Sequence, residues 1–496
     1  MSANLEKAIL VGLLIAIFFT ALAHGAVEPW SVAAFELIVL ALLILWITRA
    51  IIIKRFRVTI PAAAWPILAL ILYGFLQSLA FTDSAGRTLS LSMDVEATRK
   101  ALTMLIFLFI SFLIAVNFLT RYEWLRKLGN ILVIYGLAMA VFGLLQHFSW
   151  NGGFYWFRQT ERDLVFGPFV NHNHFAGYME MLIQIPVALL ITRGVRRELW
   201  ALYAFAAVMM GIALVASLSR GGMISLAAGM LFVAFFGIRP AQKRRKRRAV
   251  PERSFSQSLE LIKAGAAEPA PIKSRPARIG EDEVEGGPPV ARLSLTRRVV
   301  AVAVIAAAIV AGILWVGPDP VADRIAEGSD SRQETFFSSR GWIWQDSIAM
   351  IGANPFTGVG MGAFETAYPR YSLQNGAVIV GEAHNDYLQV LADCGIAGAL
   401  LALCFIVATM RAVGRAIRSR DPYLSGLALG SGAAIFSILV HSLFDFNLQL
   451  PSNALLFLFF SAIASNIATG MVESRSEKKS QRIIKPGASL AIGVRP

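Results

Sequence analysis

Two arginines lie beside small residues in segments that could bind an anion. Arg220 belongs to the sequence SRGG at 219–222, between two apolar stretches, and Arg340 belongs to SSRG at 338–341. A planar guanidinium can bind two phosphate oxygens at once, and glycine lets the backbone approach a ligand closely. We expect a helix to begin at each segment, so that its N-terminus also attracts the anion. The pattern favours a diphosphate site; the alternatives are a snorkelling Arg220 and a solvated Arg340.

A histidine lies where a long loop leads into an apolar stretch. His384 is followed by Asn385 and Asp386, either of which can cap a helix that begins there. The positive end of a helix disfavours a protonated imidazole, so His384 is suited to act as a neutral general base near pH 7. Glu382 and Asp386 are the nearest residues that could orient the ring, and the sequence does not decide between them. The alternative is an interfacial histidine without a chemical role.

Three other motifs carry weaker signals. His172 and His174 have the spacing of a metal pair, but no cysteine or carboxylate completes it, so we predict a polar loop lining a cavity and no metal. The sequence GVGMG at 358–362 lacks the preceding strand of a nucleotide loop, and we interpret it as a tight turn. Cys394 and Cys404 lie ten residues apart on one predicted helix and are too distant to form a disulfide.

The amino-acid composition indicates that these residues belong to a protein embedded in a membrane. The chain has 496 residues, of which 56% are hydrophobic and 16% charged, whereas soluble domains carry about 25% charge. Its mean hydropathy is +0.60. The formal net charge is +14, but the basic residues fall in loops between apolar stretches, so nucleic acid is not an expected partner. These values exclude soluble enzymes, fibres and disordered proteins, and predict an all-α integral membrane protein.

About twelve apolar stretches are long enough to cross a bilayer. Eight lie in 1–238, a ninth is 299–316, and three lie in 387–470. The individual stretches are near 8–24, 32–53, 62–81, 101–119, 128–148, 175–192, 199–217, 222–238, 299–316, 387–410, 423–441 and 453–470.

The charges of the loops predict the orientation of the bundle. If both termini are cytoplasmic, every short inside loop is basic, and 239–298 holds 15 Lys and Arg against 4 in 317–386. We expect 239–298 to be a disordered cytoplasmic linker that contacts anionic lipid, or alternatively docks a partner, and 471–496 to be a cytoplasmic tail. The aromatic-rich segment 317–386 should fold as a periplasmic cap, partly helical, with a short capped helix that begins near Ser338. All six histidines then lie toward the outer side.

The motifs, taken in order, resemble those of the O-antigen ligase and polymerase superfamily. The shared order is an arginine hinge, a large outer loop and a histidine at its end. The matching residues are SRGG at 219–222, SR at 339–340, GVG at 358–360 with Phe364, and EAHNDYL at 382–388 with Gly395 and Gly398. The resemblance is clearest over 200–450; the linker 239–298 and the N-terminal half depart from it.

This resemblance implies a bacterial inner-membrane glycosyltransferase of the GT-C type, inverting and independent of metal and cofactors, with its active site facing the periplasm. The donor would be a glycan linked to undecaprenyl diphosphate. Arg220 and Arg340 would bind the diphosphate and His384 would be the general base, with Glu382, Asp386, His172 and His174 as supporting residues. A ligase would transfer the glycan to lipid A–core, whereas a polymerase would transfer it to another repeat unit, and the sequence leaves both open. A small-solute transporter is the alternative from another class.

Overall fold

The computed structural model describes residues 2–82, 88–159, 165–237, 332–372 and 379–472. Within these ranges most residues are helical. Its first part contains α1 (Ser2–Leu22), α2 (Pro29–Ile52), α3 (Ala64–Gln77), α4 (Val95–Phe118), α5 (Tyr122–Phe148), α6 (His172–Ile191), α7 (Trp200–Ala216) and α8 (Arg220–Phe236). Its second part contains α9 (Arg332–Ala353), α10 (Phe364–Ala367), α11 (Asp386–Ala416), α12 (Pro422–His441) and α13 (Pro451–Ala468). Two antiparallel hairpins pair β1 (Ala80–Thr82) with β2 (Thr88–Ser90) and β3 (Gly153–Phe154) with β4 (Arg158–Gln159).

The helices confirm an all-α integral membrane protein. Among the described residues, nine helices are long and apolar enough to cross a membrane, and α3 and α8 are shorter apolar helices. Eleven of the predicted stretches coincide with these helices. The one remaining stretch, 299–316, lies outside the described residues. So do the linker 239–298, the start of the cap at 317–331 and the tail from 473 onward. The total of twelve therefore stays a prediction.

Helix α2 shows how the sequence separates lipid-facing from protein-facing sides. One face is buried against the bundle through Phe35, Val39, Leu42 and Trp46. The opposite face carries exposed apolar side chains at a spacing of three and four residues: Leu37, Leu40, Ile44, Ile47 and Ile51. Both faces are apolar because one contacts protein and the other contacts lipid.

Three helices form the centre of the bundle. Nearly every residue of α6 and α13, and most of α12, is buried. Helices α6 and α12 approach closely because glycines lie between them. A Cβ atom added at Gly430 would lie 2.9 Å from the carbonyl oxygen of Gln184 and 3.0 Å from the Cα atom of Ile185. Small residues at such a crossing let the two backbones approach closely. The resulting van der Waals contacts stabilise helix association in lipid, where the hydrophobic effect does not drive it.

The cap segment has a small core of its own. Buried side chains from α9, α10 and the segment before α11 pack together, and they include Met350, Phe364, Tyr368 and Ala383. The Tyr368 hydroxyl donates a hydrogen bond to Asp346 at 2.7 Å, and burial raises the pKa of this tyrosine to about 12. The cap is therefore partly helical, as predicted.

Helix α9 corrects the prediction of a short helix capped near Ser338. The helix begins at Arg332 and ends at Ala353, so Arg340 lies in its interior and not at its start. A serine inside a helix can donate a hydrogen bond to a carbonyl of the preceding turn, as the Ser347 hydroxyl does to Ile343 at 2.6 Å. A serine therefore does not have to mark the start of a helix. Arg340 is therefore not at the N-terminus of α9.

The sequence GVGMG forms a tight turn, as predicted, and this turn docks on a break in α11. Gly395 interrupts α11 with φ 60° and ψ −166°. The turn bonds the carbonyls next to the break, through Val359 N to Ala392 O at 2.8 Å and Gly360 N to Asp393 O at 2.9 Å. A Cβ atom at Gly395 would lie 2.4 Å from the backbone of Phe356, so only glycine fits this approach. The part of α11 before the break thus belongs to the cap and carries His384 at its start.

Candidate active site

His384 lies immediately before α11, as the sequence predicts. Asn385 caps the helix, and its side-chain oxygen accepts hydrogen bonds from the backbone N–H groups of Tyr387 and Leu388 at 3.0 and 3.1 Å. His384 itself adopts a left-handed backbone with φ 49°. The indole of Trp344 on α9 donates to the carbonyl of Ala383 at 3.0 Å, which fixes the residue before the histidine.

The imidazole of His384 is paired with a carboxylate that is distant in sequence. Its Nδ1 lies 3.2 Å from Oδ1 of Asp445, in the α12–α13 connection. The His384 side chain is 32% exposed, whereas that of Asp445 is only 2% exposed. An ionised carboxylate can only accept, so Nδ1 donates in this hydrogen bond, and the lone pair of a neutral ring would be on Nε2. The arrangement is that of a general base held by an orienting acid.

Asp445 is stabilised in its ionised form. Burial alone would raise the pKa of Asp445, but the hydrogen bond from His384 and the charges of His174, His384 and Arg340 hold it below its ordinary value. The backbone N–H of Phe446 also donates to Asp445 Oδ1, at 2.9 Å. Asp445 is therefore a permanent negative charge beside the His384 ring.

Arg340 approaches the same carboxylate from α9. Its Nη1 donates to the carbonyl of Phe444 at 2.6 Å, and its Nη2 lies 3.9 Å from Oδ2 of Asp445. Burial lowers the pKa of the Arg340 guanidinium and the neighbouring Asp445 raises it. Arg340 and His384, which are separated in sequence by most of the cap, thus converge on the segment 444–445.

Arg220 lies at the hinge between α7 and α8, as predicted. Leu218 has φ 60°, Ser219 caps α8 by accepting from the N–H of Gly222 at 3.1 Å, and the helix begins at Arg220. The next residue, Gly221, packs on the segment that also holds Asp445. A Cβ atom added at Gly221 would lie 2.8 Å from Nε2 of His441 and 3.4 Å from Cβ of Phe444. The hinge and Arg340 therefore both contact the α12–α13 connection.

His172 and His174 lie in the first turn of α6, which corrects the prediction of a polar loop at these residues; Asn171 is a capping residue that lets the helix begin there. His174 contacts Phe446, with ring centroids 4.8 Å apart, and Phe446 in turn contacts His384 at 4.9 Å. His172 is different, because its Nδ1 lies 2.6 Å from the carbonyl of Ser217 and so ties α6 to the arginine hinge.

Residues 288–403 match a protein-family model described as O-antigen ligase. The match supports the O-antigen ligase and polymerase superfamily. Members of this family are glycosyltransferase-like enzymes, either ligases or polymerases. No curated protein matches the chain.

The O-antigen ligase match covers Arg340 and His384, and leaves Arg220 and Asp445 outside it. The site is nevertheless continuous in space, because the segment 441–446 contacts residues from both parts. Within the matched region, α9 and the start of α11 carry the arginine and the histidine. The α12–α13 connection supplies the surface on which they meet, and α6 and α8 both contact that connection.

Asp386, one of the two acidic neighbours of His384 in the sequence, bonds to groups other than the His384 ring. Asp386 accepts from the Ser442 hydroxyl at 2.7 Å and from the N–H of Leu448 at 3.2 Å, so it holds the α12–α13 connection in place. Glu382 is half-buried. Burial raises its pKa well above the ordinary value, and the negative charges of Asp393, Asp386 and Glu365 raise it further.

Asp445 is the residue that sequence reasoning missed as a partner of His384. The available signal was an ionisable side chain at the end of an apolar stretch, a place where such residues are commonly functional. A second pair was also missed: His441 Nδ1 lies 3.0 Å from Oε2 of Glu180, and both side chains are almost fully buried. Neither pair could be found from the spacing of residues, because each joins two segments that are distant in the sequence.

Proposed function

We propose that the protein transfers a glycan from undecaprenyl diphosphate to an acceptor hydroxyl at the periplasmic face of the bacterial inner membrane. The observation that carries this proposal is the convergence of His384, Asp445 and Arg340 at one end of the bundle. A partly exposed base beside a buried carboxylate suits the activation of a hydroxyl group. A cation at the same place suits the departure of a diphosphate.

The reaction follows from these roles. Nε2 of His384 takes the proton of the acceptor hydroxyl, and the acceptor oxygen forms a bond to the anomeric carbon of the donor sugar. The bond between that carbon and the diphosphate oxygen breaks, and its electron pair leaves with undecaprenyl diphosphate. Asp445 stabilises the imidazolium that forms. Attack from the face opposite the leaving group inverts the anomeric configuration.

The leaving diphosphate gains negative charge as the bond breaks, and Arg340 and Arg220 would stabilise it. The Arg340 side chain already donates a hydrogen bond to the carbonyl of Phe444 at 2.6 Å, so it would lose little conformational entropy when the diphosphate binds. Ser219 and the N-terminus of α8 place Arg220 where backbone N–H groups can also face an anion. Two guanidinium groups would supply the charge that a metal ion supplies in other glycosyltransferases, so we propose a metal-independent reaction.

The acceptor is lipid A–core for a ligase, or a second lipid-linked repeat unit for a polymerase. The family match supports both. We expect the cap, which carries Arg340 and borders His384, to contact the acceptor in either case. A purified enzyme supplied with each acceptor in turn would distinguish them.

The test is glycan transfer by purified protein in nanodiscs, with a defined undecaprenyl-diphosphate donor and each acceptor. Arg340→Ala and Arg220→Ala should each raise the barrier by about 2–4 kcal/mol, a rate loss of about 30- to 1,000-fold. Lysine at either position should restore only part of the transfer rate, because its ammonium group cannot bind two phosphate oxygens as the planar guanidinium does. Arg370→Ala is the control, since this arginine is exposed on the cap outside the site.

Two results would overturn the proposal. One is near-normal transfer by both alanine variants. The other is solute flux through the protein without any glycan product. Loss of transfer on chelation, with recovery on adding zinc, would remove the metal-independent mechanism.

A further inference from the structure

A pocket of about 480 Å³ lies beside the His384 site, and the mechanism above does not use it. It is bordered by the α1–α2 connection, the β3–β4 hairpin, the start of α6 and the α12–α13 connection. We call it the hairpin pocket. Its lining includes His24, Glu28, Phe154, Arg158, His174 and Phe446.

The hairpin pocket shares a wall with the site. Phe446 and His174 both line the pocket, and their rings lie 4.8 Å apart. The same Phe446 ring contacts His384 with centroids 4.9 Å apart. A ligand in this pocket would therefore be one aromatic side chain away from the base.

The polar groups of the pocket are fixed by one another. Arg158 Nη1 lies 2.6 Å from Oε1 of Glu28 and 3.3 Å from Nε2 of His24. The other oxygen of Glu28 accepts from the indole of Trp30 at 2.7 Å. A hydrogen bond from Trp30 lowers the pKa of Glu28, burial opposes this, and Arg158 lowers it further. A carboxylate and a guanidinium thus meet in a preorganised pair.

Two imidazole nitrogens of the pocket lack partners. His24 is 9% exposed and His174 is 8% exposed, yet His24 Nδ1 and His174 Nε2 have no hydrogen-bond partner among the described residues. Burial lowers the pKa of His24; Glu28 raises it and Arg158 lowers it. Leaving a buried polar atom unpaired costs free energy, so such atoms usually have a partner. Each of these two nitrogens could therefore form one further hydrogen bond.

Most of the remaining wall of the pocket is apolar. Phe154, Phe169 and Phe446 present apolar surface around the polar groups. A pocket of this volume, largely apolar with a few fixed polar groups, is typical of small-molecule sites of about 300–1,000 Å³. A pyranose ring has matching chemistry, because its C–H face packs on an aromatic ring and its hydroxyls bond to carboxylate, guanidinium and imidazole groups. An acyl chain could form no hydrogen bond with the Glu28–Arg158 pair on the pocket wall.

We propose that the hairpin pocket is a saccharide-binding subsite that holds a pyranose unit of the donor glycan or of the acceptor beside His384. This inference rests on the proposed function, since it assigns a second contact to one of the same two substrates. The residues that form it come mainly from the N-terminal half, outside the region that matches the family model.

The test fills the pocket without breaking its contacts. Val27 lines the pocket and is 50% exposed, so Val27→Trp can place an indole in it while Glu28, Arg158 and both histidines remain. Leu22→Trp is the matched control, because Leu22, the last residue of α1, is 44% exposed and is not part of the lining. Full-length protein in nanodiscs is assayed for the KM and kcat of donor and acceptor separately.

We expect Val27→Trp to raise the KM for one of the two substrates about tenfold while kcat changes less than about twofold, and Leu22→Trp to change neither. A rise for the acceptor assigns the pocket to the acceptor, and a rise for the donor assigns it to the donor glycan. Arg158→Ala should shift the same KM. Unchanged KM values for both substrates in Val27→Trp would overturn the proposal.

A second measurement separates this proposal from the proposed function. Saturation-transfer NMR detects binding of soluble oligosaccharides, released from donor and acceptor, to the wild-type protein and to Val27→Trp. Binding that Val27→Trp abolishes supports the subsite even if no transfer is observed. Transfer by the wild-type protein together with equal binding by both proteins would remove the subsite and leave the proposed function standing.

Discussion

Among the described residues, two histidine–carboxylate pairs lie close together and differ in their exposure to solvent. In the first, His384 lies 3.2 Å from Asp445, and the histidine side chain is 32% exposed. In the second, His441 lies 3.0 Å from Glu180, and the two side chains are 1% and 0% exposed. We call them the open pair and the closed pair. The chemical groups are the same, so their different surroundings must decide what each pair does.

The closed pair joins two buried helices, whereas the histidine of the open pair is partly exposed. His441 ends α12 and Glu180 lies on α6, so their contact fixes two central helices against each other. Gly221 packs on the His441 ring and covers it from the side of the arginine hinge. His384, by contrast, lies at the edge of the cap, where Nε2 can meet a hydroxyl. Burial therefore makes one pair a structural contact and leaves the other available for proton transfer.

The largest expected effect is the loss of stability when the closed pair is broken. His441→Leu leaves the Glu180 carboxylate buried without its partner, which should destabilise the protein by about 3–5 kcal/mol. The measurement is the apparent Tm in detergent, with transfer expressed per folded molecule. The double variant His441→Leu with Glu180→Leu should regain part of the loss. An unchanged Tm in the single variant would show that the closed pair does not hold the helices.

A smaller effect is expected from Asp445→Asn in the open pair. The amide keeps the size of the side chain but removes the charge that orients and stabilises the His384 ring, so kcat should fall by about 10- to 100-fold. The Tm should also fall, because the ionised carboxylate stabilises the folded protein, so kcat is expressed per folded molecule; kcat for Asp421→Asn should be unchanged. Asp421 caps α12 through the N–H groups of Tyr423 and Leu424, a role that asparagine also fills. Equal kcat for Asp445→Asn and the wild-type protein would break the comparison.

The smallest effect is the pH dependence set by Glu382, whose raised pKa contrasts with the lowered pKa of Asp445. A carboxyl whose pKa is raised by folding destabilises the protein once it ionises, so stability falls as the pH rises through the raised value. Gln cannot ionise. Glu382→Gln should therefore match the wild-type Tm near about pH 5 and exceed it near about pH 9. A constant difference in Tm across this range would show that Glu382 does not titrate in the folded protein.

Local features of the fold could be predicted from the sequence. The apolar stretches coincide with helices in every described range, and the Asn385 cap places His384 at the start of α11 as expected. The hinge at Arg220 also follows from local signals, since Ser219 is a capping residue between two apolar runs. These features depend on neighbouring residues, and composition and capping chemistry determine them.

The length of α9 and the two pairs could not be predicted, because they depend on contacts between distant segments. Ser338 and Ser339 resemble a helix start, yet α9 begins at Arg332. His384 and Asp445 are separated by two helices of the bundle, and His441 and Glu180 by most of the chain. Spacing within a sequence does not report which helix ends meet.

The most direct test of the account is the effect of His384→Ala on transfer and on donor binding, measured on the same nanodisc preparation. Removing a positioned general base should lower the transfer rate by about 10²- to 10⁴-fold. Donor binding should be retained, because Arg220 and Arg340 remain. His147→Ala is the control, since this exposed histidine near the end of α5 lies outside the site. Full transfer by His384→Ala would contradict the assignment of His384 as the base.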